Sequence, residues 1–159
     1  MDSPDVVNRS VTHYLFPGHI FAHHEPHTVT TVLGSCISVT MCDAVNRVGG
    51  INHYMMPLWN GEGLPTPKFG NIAIKKLLEK MISMGADKRN IKAKIIGGSS
   101  MYGKSRGLLD IGGRNIVVAQ DSLAKEGISV ISSDVGGERG RKVLFFTETG
   151  IVRVKTLNT

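Results

Sequence analysis

The amino-acid sequence predicts a single α+β domain whose sheets carry helices on one side. Three observations lead there. About seven short runs rich in Val, Ile and Thr read as strands. Two longer stretches repeat their apolar residues with the helical period. The 159 residues hold no internal repeat and no linker. Their 19 glycines fall mostly in clusters, among them Gly49-Gly50, Gly97-Gly98, Gly112-Gly113 and Gly136-Gly137, which read as tight turns or close backbone approaches.

Taken in order, residues 1–27 are polar and predicted irregular, a variable N-terminal segment of the same domain. They hold five of the six histidines: His13, His19, His23, His24 and His27. Residues 28–157 form the main body of the domain. "TVTTVL" (28–33) is apolar and β-branched, and "CISVTM" alternates after the turn-like Gly34. "CDAVNR" supplies a hairpin connection with Asp43 and Asn46, and "VGGINHYMM" returns as a strand that Pro57 stops. A Gly- and Pro-rich loop covers 58–67. A helix begins near Asn71, with Ile72, Leu77, Leu78, Met81 and Ile82 largely to one side and Gly85 as its stop. "IKAKIIGG" is a strand and residues 99–112 a second loop. A second helix is expected from about Gly113 to Glu126, ended by Gly127. "ISVISSDV" is a strand, "GGERG" a tight loop, and the last segment a hairpin turning on Thr149-Gly150.

Bulk properties narrow the function. With 41% hydrophobic and 20% charged residues, the chain has the balance of a soluble globular fold. No run of apolar residues is long enough to span a bilayer, and the N-terminus lacks the pattern of a secretory signal. Two cysteines cannot make a disulfide framework, so a reducing, cytoplasmic setting is expected. The formal net charge of +6 is spread along the chain rather than gathered in a stripe, which argues against nucleic acid and for solubility or an acidic protein partner.

Few residues carry chemistry. Cys36 follows Gly34-Ser35 at a turn, where small residues let backbone N–H groups face a bound carbonyl. His53 lies on the next strand, and pairing across the hairpin brings the two to the same end of the sheet. A thiol nucleophile needs such an imidazole as base. A third group should orient the imidazole. Thr30 and Thr31 both precede the turn, and strand alternation lets only one of them face the site. Cys42 lacks the spacing of a redox pair, and His23, His24 and His27 read as loop residues rather than metal ligands. No glycine cluster has the pattern of a phosphate-binding loop.

"TTVLGSCISVTMCD", "VGGINHYMMP", "AKIIGG" and "IGGRNIVVAQDSLAKEGISVISSDVGGERGRKVLFFTETGIVRVK", in that order, resemble the CheD family of chemoreceptor glutamine deamidases over roughly residues 12–156. The resemblance implies a layered α/β/β sandwich of mixed sheets with two main helices. It implies a catalytic Cys36, His53 and Thr30, the threonine six residues before the cysteine, with Gly34 and Ser35 supporting the oxyanion. "GGSSM" at 97–101 departs from the family by carrying serines where Ala and Asn are frequent. The implied reaction converts receptor glutamine to glutamate through a cysteine thioester. Glutamate methyl esters are open to the same chemistry, and no metal or organic cofactor is required. Methyl-accepting chemotaxis receptors are the implied substrate and a CheC-type phosphatase a further partner. The "DVGGERG" loop, with Asp134, is expected to support structure or a partner surface. Two other readings remain: a non-catalytic adaptor for that phosphatase, and a thiol amidase of other specificity.

Overall fold

A computed structural model of the chain describes residues 11–100 and 110–158. In chain order its strands and helices are β1 (Val11–Tyr14), β2 (Ile20–His23), β3 (His27–Leu33), β4 (Ile37–Asp43), β5 (Val48–Asn52), α1 (Gly70–Ser83), β6 (Ile91–Gly97), α2 (Ile111–Lys125), β7 (Ser129–Val135), β8 (Arg141–Phe146) and β9 (Val152–Thr156). A four-stranded sheet has the order β1-β3-β8-β9, and a five-stranded sheet the order β2-β5-β4-β6-β7. Both are mixed, since β1/β3 and β6/β7 run parallel and the other neighbours antiparallel. The β6–α2–β7 crossover is what allows the parallel pair, because a hairpin cannot join parallel strands.

Three layers result. α1 and α2 cover one face of the five-stranded sheet, where Ile37, Val39, Met41, Tyr54, Ile74, Leu77, Met81, Ala119 and Leu123 form one apolar cluster. The other face packs on the four-stranded sheet through Leu15, Val29, Ile51 and Phe145, and through Leu33, Ile96 and Val143. β4 lies between both layers, so nearly all of it is buried. Gly50 is small because α1 lies directly on it: an added Cβ would come within 2.8 Å of Leu77 and 2.9 Å of Met81. The helices stop before Gly85 and Gly127, where the sequence places their ends. Asp110 caps α2 by accepting from the Gly113 N–H at 3.0 Å.

The expectation of an irregular 1–27 segment is corrected. It carries β1 and β2, one added to each sheet, which makes nine strands among the described residues instead of seven. Both are four residues long and hold His, Phe and Thr in place of a clean apolar alternation. Their stability comes from partners the local sequence does not reveal: β3 for β1, β5 for β2, and a stacked His13–Phe21 ring pair 4.3 Å apart. Between them Leu15 is fully buried in the layer between the sheets.

Candidate active site

The β4–β5 hairpin fixes the relation of Cys36 to His53. Thr40 pairs with Ile51 and Asp43 with Val48, and the same register continues to an antiparallel bridge between Ile37 and Tyr54. The bridge is closed by both of its backbone hydrogen bonds, at 3.1 and 2.9 Å. Cys36 and His53 each neighbour this pair on the diagonal, so strand alternation turns them toward the same face of the sheet. That face looks toward the four-stranded sheet: Cys36 packs beside Leu33, Ile96 and Val143. Asp43 holds the hairpin turn at the far end by accepting from the Val45 and Asn46 N–H groups at 3.0 and 2.9 Å.

His53 is buried and held on both its backbone and its ring. Its carbonyl accepts from the Gly18 N–H at 2.7 Å, and its N–H donates to the His19 carbonyl at 3.2 Å. Its Nδ1 lies 2.7 Å from the Thr31 hydroxyl, which itself donates to the Leu15 carbonyl at 2.9 Å. A hydroxyl has one proton to give. With that proton committed to Leu15, Thr31 can only accept from Nδ1–H, so the tautomer is fixed and Nε2 carries the free lone pair. Nε2 is buried and makes no hydrogen bond among the described residues. Burial pushes the imidazole pKa down to about 4 and pushes the Cys36 thiol up. Burial thus favours the neutral form of both groups.

Thr30 is not the residue on the ring. Val29, Thr31 and Leu33 are buried and face the layer between the sheets, whereas Thr30 shares its side of β3 with the exposed Val32. Strand alternation therefore gives the contact to Thr31 and corrects the expectation drawn from the six-residue offset.

The turn that leads into Cys36 is pinned through its carbonyls. Gly34 O accepts from the Ser99 N–H at 3.0 Å, Ser35 O from Asn115 Nδ2 at 2.9 Å, and Cys36 O from the Gly98 N–H at 2.9 Å. Gly97 must be glycine here: its φ is 109°, and a Cβ would collide with the Cys36 carbonyl. The 97–100 segment is laced in turn to the loop after β7. Gly136 N–H donates to Gly97 O at 2.9 Å and Ser100 N–H to Gly137 O at 2.8 Å. Arg141 braces that loop, bonding Asp134 Oδ1 at 3.2 Å and Gly136 O at 2.8 Å. Asp134 thus reaches the Cys36 carbonyl only through Arg141, Gly136 and the Gly97–Gly98 segment. Residues 101–109, most of the second loop expected from the sequence, lie outside the described residues.

Asn115 escaped the sequence reading. Its Nδ2 donates to both Ser35 O and Met55 O, the second at 3.1 Å, and Tyr54 OH donates to its backbone carbonyl. A signal was present: Asn115 lies on the stripe of α2 that also holds Val118, Ala119 and Leu123, and a polar residue on a buried stripe needs partners. Cys42, by contrast, is remote from the thiol, packing near Gly150 and the Thr147 carbonyl. No cluster of His, Cys, Asp and Glu suited to a metal ion occurs among the described residues.

A profile described as CheD chemotactic sensory transduction matches residues 55–156. The chain belongs to the CheD family. A protein of Trichlorobacter lovleyi named "Probable chemoreceptor glutamine deamidase CheD" is 45% identical over 140 residues, covering 88% of this chain and 87% of that one. A protein of the same name from Sulfurimonas denitrificans is 40% identical, covering 89% of this chain and 92% of that one. Among solved structures, a Neisseria meningitidis protein of family DUF152 is similar in fold, with a TM-score of 0.50 at 12% identity over 86% of this chain and 72% of that one. That likeness agrees with the layered α+β arrangement. The CheD profile begins two residues after His53, so the Thr31–His53 hydrogen bond lies outside the residues it matches.

Proposed function

We propose that the chain is a chemoreceptor glutamine deamidase that works through a Cys36 thioester, with His53 as base and Thr31 holding the imidazole. The observation that carries this reading is the His53 ring: Thr31 fixes Nδ1–H, and Nε2 is left bare on the face it shares with Cys36. The names of the relatives supply the substrate class.

Because burial favours the neutral thiol and the neutral imidazole, proton transfer accompanies attack. The Cys36 Sγ–H proton moves to Nε2 as sulfur bonds to the glutamine Cδ, and the carbonyl π electrons move onto oxygen. The tetrahedral intermediate collapses by breaking C–N, and nitrogen takes the proton from His53 and leaves as ammonia. Water then adds to the thioester carbon while giving a proton to Nε2. C–S cleaves, the proton returns to sulfur, and glutamate is released. A glutamate methyl ester follows the same path with methanol as the leaving group.

A protein substrate suits the surroundings better than free glutamine. From His53 the chain continues into exposed Met55, Met56 and Leu58. Leu58 borders a cleft of about 700 Å³ lined also by Pro57, Asn71, Arg114 and Val117, while neither Cys36 nor His53 lines it. Remote apolar contacts of this kind give binding energy that a free amino acid lacks. A CheC-type phosphatase, the partner implied by the family resemblance, would compete for the same apolar run. No helix among the described residues is long and apolar enough to cross a membrane. The reading puts the enzyme in the cytoplasm, where its thiol stays reduced.

The test is ammonia release and mass analysis with a purified cytoplasmic receptor fragment, set against free glutamine. A gain of about one mass unit at particular glutamines is expected, slowing as salt screens the basic surface. Equal efficiency on free glutamine would favour the small-amidase reading. No mass change in any receptor fragment would end the proposal.

A further inference from the structure

The carbonyls of Gly34, Ser35 and Cys36 are all engaged, yet the N–H groups of Ser35 and Cys36 make no hydrogen bond among the described residues. The described chain contains no cis peptide, so in each unit C=O and N–H point in opposite directions. Whatever holds the Ser35 carbonyl therefore aims the Cys36 N–H. That holder is the side-chain amide of Asn115, at 2.9 Å.

We propose that Asn115 is the positioning residue of the oxyanion site: by gripping the Ser35 carbonyl it points the Cys36 N–H at the oxygen that becomes negative. The inference rests on Cys36 being the nucleophile. Three features support it. Asn115 is fully buried, and both donors of its amide are used, one on Ser35 O and one on Met55 O. Those two carbonyls belong to Ser35, which precedes the nucleophile, and to Met55, two residues beyond the base, so one side chain ties together both strand ends that carry the site. Only an amide nitrogen fits this place. The carboxylate of an aspartate has no proton for either carbonyl and would repel both. The amide oxygen, Oδ1, makes no hydrogen bond among the described residues, so the donors are what the fold employs. Asn115 does not touch substrate. It acts through the Ser35–Cys36 peptide.

The experiment compares Asn115→Asp, Asn115→Ala, Tyr54→Phe and Cys36→Ala in the full chain. Three readouts are taken: receptor-fragment deamidation, alkylation of Cys36 by iodoacetamide, and inhibition by a peptide bearing an aldehyde in place of the glutamine amide. Alkylation needs the thiol but no oxyanion site. In the aldehyde adduct sulfur bonds to the carbonyl carbon and the thiol proton passes to oxygen, so its affinity reports the same donors even without turnover. Tyr54→Phe removes the hydroxyl bond to the Asn115 backbone and serves as the control for general loosening of α2.

Direct removal of an oxyanion donor costs about 100- to 1000-fold in kcat, so an indirect loss of aim should cost roughly 10- to 100-fold. N115D and N115A are expected to lose that much in kcat and in aldehyde affinity. KM and alkylation rate should stay within about threefold of the parent by the same separation of binding from transition-state effects. Y54F should keep its aldehyde affinity. Undiminished kcat and aldehyde affinity in N115D would overturn the proposal. So would a fall in alkylation that matches the fall in turnover, or an equal loss of aldehyde affinity in Y54F. If N115D does not fold, N115A and Y54F carry the same comparison. Turnover persisting in C36A defeats the thiol reading itself, an outcome separate from any result at Asn115.

Discussion

Replacing Thr31 by Val is the sharpest perturbation of the site, because it removes one hydroxyl and preserves the branched shape. Two hydrogen bonds disappear together, the 2.7 Å contact to His53 Nδ1 and the 2.9 Å donation to Leu15 O. A buried group that loses its partner costs about 1–3 kcal/mol. At about 1.36 kcal/mol per factor of ten, loss of the ring contact should lower kcat/KM by roughly 5- to 150-fold, since Nε2 is then no longer reserved as the base. The orphaned Leu15 carbonyl should cost a further 1–3 kcal/mol or so in stability, read as a lowered melting temperature. Thr31→Ser keeps the hydroxyl and should recover most of both. Thr30→Val, on the opposite side of β3, should stay near the parent in each assay. The assay is ammonia release from a receptor fragment, with melting followed in parallel. A T31V enzyme within twofold of the parent, or a T30V enzyme as impaired as T31V, would refute the tautomer argument.

Other outcomes follow from the same geometry. Cys36→Ala should abolish turnover and leave the melting temperature almost unchanged, since the side chain is only partly buried; measurable ammonia release from C36A would exclude the thioester. His53 has its folded pKa lowered by burial to about 4 from 6.5, so between those values the unfolded chain binds the proton and the folded chain does not. Stability should therefore fall as pH drops through that window, by up to about 3 kcal/mol, and His53→Gln should flatten that part of a pH–denaturation profile. The acid limb of kcat/KM should likewise lie well below the ordinary histidine range; a limb near 6.5 would contradict the burial argument. Arg141→Met keeps the stem but loses the bonds to Asp134 and Gly136, and it should cost about 1–2 kcal/mol by denaturation with a parallel fall in kcat. An unchanged kcat would show that the brace stops at the loop and does not reach Gly97–Gly98.

The order of elements was readable because strands and helices here are separated by glycine and proline punctuation. That Cys36 and His53 fall at one end of the same hairpin was readable because a single register relates them. Thr31 was not, since Val32 gives the other side of β3 an apolar residue and blurs the alternation that Val29 and Leu33 define. The role of the N-terminal segment was hidden for a different reason. Leu15, Gly18 and His19 act through backbone atoms on Thr31 and His53, and backbone groups leave no mark in a sequence. Asn115 comes from 79 positions beyond Cys36 (115 against 36), and only tertiary packing brings its amide to Ser35.

The contact that fixes the imidazole crosses the gap between two separate sheets: Thr31 belongs to one and His53 to the strand end of the other. Its length is thus a measure of how far apart the layers sit, and the spacer is hydrocarbon: Leu33, Ile96 and Val143 on one flank, Leu15, Val29, Ile51 and Phe145 on the other. Close-packed interiors transmit strain instead of absorbing it. A methylene lost or gained among those seven side chains resets the separation of the sheets. A misplacement of about 1 Å can cost a factor of about 100 in rate. The greasy filling between the sheets is in effect the calibration shim of the proposed base, and residues lodged between the two layers set its tolerance.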